Sequence, residues 1–133
     1  MAEVTKYRTM SMNISFDKEF MGGNLLGGPS TIINAYSSES APDVVYAFIQ
    51  FFFECQSMSD EFKLNAELSI SYKITPKSEI KDADLYDCVE SSRNSLQEIF
   101  NITFSGQRSI IQIPKIPYDV VSGNIDEQMQ NLR

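Results

Sequence analysis

Two thiols, a knot of carboxylates and two glycine pairs are the residues in this sequence whose types could do chemistry. Cys55 and Cys88 each sit among apolar neighbours, the setting of buried, reduced thiols. Histidine is absent. Without it neither Ser-His-Asp nor Cys-His catalysis is open, nor a histidine-containing zinc site, and two cysteines do not make a four-thiolate one. Asp82, Asp84, Asp87 and Glu90 gather where a helix begins. A metal site or an acid–base pair is one reading; the other is carboxylates favoured at the positive end of a helix dipole. Gly22-Gly23 and Gly27-Gly28 are not followed by the Gly-Lys-Ser/Thr of a phosphate-binding loop, and the nearest basic residue, Lys18, precedes them. With no nucleophile and base to name, the expectation is a protein that is not an enzyme and takes no cofactor or metal.

The elements that position these residues come from one domain. The chain has 133 residues, 42% hydrophobic and 22% charged, enough to fold around one core without a disulfide or a metal. Eighteen Asp plus Glu against eleven Lys plus Arg give a net charge of −7. That balance disfavours a nucleic-acid partner, which calls for clustered cations. It suits a protein that resists self-association or docks on a basic surface. No run has the length of a membrane span, and the first residues lack the apolar core of a signal peptide, so a cytoplasmic location without membrane insertion is expected.

Periodicity places the elements. Met10, Met12, Ile14 and Phe16 alternate with polar residues, which predicts a half-buried strand. Residues 20–42, rich in glycine and proline, read as a long crossover holding Leu25, Leu26, Ile32 and Ile33, with a short strand near 31–36. Residues 43–56 (DVVYAFIQFFFECQ) read as a strand buried on both faces. Residues 58–61 (MSDE) suit a hairpin. Phe62, Leu64, Ala66, Leu68, Ile70, Tyr72 and Ile74 then alternate without a miss, with Lys63 to Lys73 on the other face and Pro76 as the stop. From Asp82 the apolar spacing becomes helical through Leu85, Val89, Leu96, Ile99 and Phe100, weakened by Ser92. Asp82 or Asp84 is the candidate N-cap and Gly106 the stop. Residues 119–133 predict a second, shorter helix interrupted at Ser122-Gly123. Strands first and helices last give an α+β class: an antiparallel, mainly four-stranded sheet with one long and one shorter C-terminal helix on one face.

Residues 106–118 (GQRSIIQIPKIPY) fit none of these patterns. They are too apolar for an ordinary loop, and Pro114 and Pro117 bar them from a paired strand.

This stretch carries a resemblance. A glycine after the long helix, alternating apolar residues, proline, and an aromatic before the last helix resemble the helix-connecting loop of the SecB-like chaperones, with Gly106, Ile111, Ile113 and Tyr118 at matching spacings. Arg8 followed by Ile14-Ser15-Phe16-Asp17 is similar to that family's first strand. Asp43-Val44-Val45-Tyr46 is similar to the opening of its apolar strand, and Glu67-Leu68 to an acid–apolar pair in the returning one. The resemblance spans residues 7–121. It departs where Asn94-Ser95-Leu96-Gln97 replaces an aromatic-Pro-Tyr cluster. It departs again where the chain stops at Gln130-Asn131-Leu132-Arg133, without the acidic tail that docks on the SecA motor.

The resemblance implies an ATP-independent holdase for unfolded polypeptide, built as a dimer of dimers. Its client is either an antitoxin in a toxin–antitoxin–chaperone system or an export preprotein. Leu25, Leu26, Ile32 and Ile33 in the crossover and Ile110, Ile111, Ile113, Ile116 and Tyr118 in the loop would form mobile apolar walls, over a floor of Phe48, Phe51 and Phe53. The isoleucines could instead simply cover the sheet. Glu67 is either a partner-docking acid or a solvated surface charge. Two other readings stand beside this one: a secretion-effector chaperone, whose kind usually opens with a helix, and a phage or structural assembly subunit using the apolar loop as a fixed interface.

Overall fold

Alternating apolar residues build most of this molecule. In the computed structural model they form four strands, β1 (Glu3–Phe16), β2 (Leu25–Ser38), β3 (Ala41–Ser57) and β4 (Lys63–Thr75), followed by helices α1 (Asp82–Thr103) and α2 (Tyr118–Leu132). A single 3-10 turn, Lys77–Glu79, joins β4 to α1. The structure describes residues 1–18, 20–59, 61–106 and 110–132. All pairings are antiparallel and the order across the sheet is β1-β4-β3-β2. The two most strongly patterned strands are therefore central, and the two weaker ones are edges. The α+β class and the four-stranded sheet with a long and a shorter helix are those expected from the sequence.

The core lies between the sheet and the helices. From β3 it takes Val45, Ala47, Ile49, Phe51, Phe53 and Cys55, and from β4 the whole alternating set Leu64 to Ile74. Opposite them lie Leu85, Val89, Leu96 and Phe100 of α1, and Val121, Ile125 and Met129 of α2. Ser92, which weakens the apolar stripe of α1, is fully buried with a partner: its hydroxyl shares a 2.9 Å hydrogen bond with the Tyr72 hydroxyl and donates to the Cys88 carbonyl at 2.9 Å. A polar group inside the core is tolerated because its bonds are made.

Four expectations need correction. The segment predicted as a crossover is the fourteen-residue strand β2, paired with β3 from Leu25–Ser57 to Ser37–Val45. Its breakers fit because β2 is an edge, where proline costs no ladder bond, and because Gly27 (φ 112°) lets the strands close up. A Cβ there would stand 2.2 Å from the Glu54 carbonyl oxygen. Strand β3 is covered on one face only: Val44, Tyr46, Phe48, Gln50 and Phe52 point away from the helices and are half-buried. Neither Asp82 nor Asp84 is the N-cap of α1. The cap is Lys81, whose backbone N–H donates to the Asp84 carboxylate at 2.8 Å. Helix α2 runs through Ser122-Gly123 without a break and starts at Tyr118. The predicted MSDE turn includes Asp60, which lies outside the described residues, as do Gln107 to Ser109 of the apolar stretch and Arg133. Ser57 closes the hairpin by donating its N–H to Phe62 O at 2.9 Å.

The helices pack over β2, β3 and β4; β1 is reached where Lys6 Nζ donates to the Ser95 hydroxyl of α1 at 2.8 Å and where the Phe16 ring meets Phe104, just past α1, tilted at 4.9 Å. Val4, Ile14 and Phe16 near its ends are half-buried against the core; between them β1 is exposed, with Tyr7, Met10 and Met12 about half exposed.

Candidate binding surface

An apolar segment outside any sheet must still satisfy its backbone. Helix α1 does this at Ile111, Ile113 and Ile116. Tyr86, Glu90, Arg93 and Gln97 recur every three or four residues, so they form one polar stripe on α1 beside the apolar one. The Gln97 carboxamide donates to Ile111 O at 2.9 Å and accepts from Ile113 N at 2.7 Å. Arg93 donates to Ile113 O at 3.1 Å and is held by Glu90 at 3.1 Å, while Tyr86 donates its hydroxyl to Ile116 O. Tyr118 ties the start of α2 to the start of α1: its hydroxyl donates to Asp82 at 3.3 Å and its ring meets Tyr86 edge-on at 5.5 Å.

These bonds set the strap with Ile111, Ile113 and Ile116 inward, only 1%, 3% and 4% exposed. Their burial contributes roughly 6 kcal/mol as an upper figure, comparable with the whole stability of a domain. Of the two readings of these isoleucines, mobile walls or a cover for the sheet, the resting structure has the second: they cover the core. Of the five loop residues expected to bind a client, Ile110 and Tyr118, at the two ends, are the exposed ones, at 40% and 38%.

The other predicted residues divide between the two faces of the sheet, because adjacent strand residues point opposite ways. Ile33, Phe51 and Phe53 are buried beneath the helices, and Leu25 is half-buried on that side. Leu26 (50% exposed), Ile32 (47%) and half-buried Phe48 lie on the open face, with Glu67 opposite Phe52. The structure does not bring all twelve apolar candidates into one groove. It gathers an open-face set in which Leu26, Ile32 and Phe48 are joined by three tyrosines. Tyr7, Tyr46 and Tyr36 form a chain of rings across that face, with centroid distances of 5.4 and 5.9 Å. Ser69 and Ser71 of the polar β4 face, though on this open side, are buried between larger neighbours on β1 and β3.

The fold holds most of the residues with chemical potential in place. Burial pushes the Cys55 thiol up to about 11 and the Cys88 thiol up to about 12, so both stay protonated and unreactive. Among the four carboxylates, Asp82 accepts from Tyr118, Asp84 serves the α1 N-terminus, Glu90 pairs with Arg93, and Asp87 is exposed. No described helix is long and apolar enough to cross a membrane.

No family model and no curated protein matches this chain. Solved structures do. The SecB-like chaperone of Mycobacterium tuberculosis, in complex with a ChAD peptide from the HigA1 antitoxin, matches with a TM-score of 0.59 and 8% identity, over 87% of this chain and 92% of that one. A Streptococcus agalactiae protein of unknown function matches with a TM-score of 0.52 and 14% identity, over 86% of this chain and 98% of that one. The chain has the SecB-like fold.

Proposed function

We propose that this protein is an ATP-independent holdase that binds unfolded polypeptide. The observation that carries the reading is the shared fold with a chaperone solved in complex with a peptide from an antitoxin. The surface is in keeping with it. Leu26, Ile32 and Tyr36 on β2, Tyr46, Phe48 and Phe52 on β3, and Ile110 and Tyr118 at the strap ends offer apolar contact without a fixed shape, which sequence-tolerant binding requires. Between an antitoxin and an export preprotein, the peptide in the mycobacterial complex favours the antitoxin as client. β1 supports assembly into a dimer of dimers: a long edge strand exposed over most of its length is a surface a second copy would close. A cytoplasmic location goes with this reading. Burial of Ile111, Ile113 and Ile116 within their own chain counts against the assembly-subunit alternative, which needs the loop free as an interface.

The test is light scattering of a denaturant-unfolded protein diluted into buffer without nucleotide. An equimolar amount of this protein should suppress the aggregation, and native mass spectrometry of the free protein should give a tetramer. Unchanged aggregation of several unrelated unfolded chains would sink the proposal.

A further inference from the structure

Gln97 treats the strap in a particular way. Donating to Ile111 O and accepting from Ile113 N is the pair of bonds that a parallel neighbouring strand makes around the residue between, Gln112. The carboxamide thus stands in for a strand on the inner edge, and Arg93 extends the edge at Ile113 O. In an extended segment the next residue turns its N–H and C=O the opposite way. Gln112 is exposed, and among the described residues its backbone makes no hydrogen bond.

We infer that this outer edge, centred on Gln112, is a strand-addition site that takes the main chain of an extended polypeptide; the inference rests on the holdase reading above. One client residue opposite Gln112 would accept its N–H and donate to its C=O, the hydrogen-bonded pair of an antiparallel ladder. Exposed Ile110 and Tyr118 at the strap ends supply apolar contact. Pro114 and Pro117 bar the addition from spreading toward α2, because neither has an N–H to give. The two sheet edges suit this role less. Strand β1 has register breaks at Lys6/Arg8 and Thr9/Ser11, which interrupt a ladder. On β2 the Ala35 N–H already donates to Gln128 of α2 at 2.7 Å, and Pro29 interrupts the rest.

The experiment uses the full chain and reduced, carboxymethylated α-lactalbumin, a permanently unfolded probe. Gln112→Pro removes the donor and should weaken binding about fivefold, the worth of about one net hydrogen bond, while Gln112→Ala keeps the backbone and should stay within about twofold of the parent. Equal affinity of Gln112→Pro and the parent, or an equal loss in Gln112→Ala, overturns the inference. If Gln112→Pro lowers the melting temperature, amide exchange in the parent decides: the Gln112 amide should slow when probe is added, and unchanged exchange overturns the site. A parent that does not bind the probe at all overturns the holdase reading itself.

Discussion

Two extended segments of this molecule invert the usual relation between pairing and burial. Strand β1 belongs to the sheet, bonded to β4 along its length, yet it is uncovered on both faces for most of that length. The strap at 110–117 belongs to no sheet, yet Ile111, Ile113 and Ile116 are as buried as the core. What differs is the neighbour. Past β4 the helices run out, so β1 has backbone partners and little to pack on. The strap lies along α1, whose polar stripe supplies the backbone bonds and leaves the side chains free to pack inward. Burial follows the helix layer, not the ladder.

The largest break in that comparison comes from replacing Ile111 and Ile113 together with Ser. Each change removes a buried aliphatic group and leaves a hydroxyl in the core, so the pair should cost about 5 kcal/mol or more and unfold the protein. Met12→Ser on β1 should change stability by about 0.5 kcal/mol or less. Denaturant titration of both variants checks the contrast, and a folded double variant would mean the strap is dispensable. Next in size is Gly27→Ala on β2, where the Cβ meets the Glu54 carbonyl at 2.2 Å in a left-handed backbone; a loss of about 2–3 kcal/mol is expected in the same titration. Gln97→Ala strands two backbone groups of the strap and should cost about 1–2 kcal/mol, with faster amide exchange at Ile113 and none at β1.

Another effect is the pH dependence. The Cys88 thiol is raised from an ordinary 9.0 to about 12 in the folded chain. A group with a raised folded value binds its proton longer in the folded state, so its contribution is whole below about 9 and is lost as the pH climbs toward 12. Melting temperature should therefore fall in that alkaline window, less so in Cys88→Ala. Parallel curves would show that the thiol ionises as easily folded as unfolded.

Most of the fold is legible in the sequence because strict alternation in β4 and helical spacing in α1 each admit one structure. β2 is hidden for a physical reason: Gly27 and Pro29 are breakers in the middle of a sheet and acceptable on its edge, and a single sequence does not say which strand is the edge. The site was half legible. Adjacent pairs such as Leu25-Leu26 and Ile32-Ile33 announce that a strand would send them to opposite faces, so a groove containing both members was already excluded once β2 was a strand. The strap's partners were also written in the chain, as polar residues at 86, 90, 93 and 97. Their signal is legible only together with the question of where an apolar loop finds its backbone bonds.

Client binding is proposed on the exposed surface, with the strap staying in place. Residue-resolved amide exchange with and without the unfolded probe measures it most directly. Protection should appear at Gln112 and on the open face around Ile32 and Phe48, with Ile113 as slow as in the free protein. Acceleration at Ile113 on adding the probe, or no change at any residue, would contradict it.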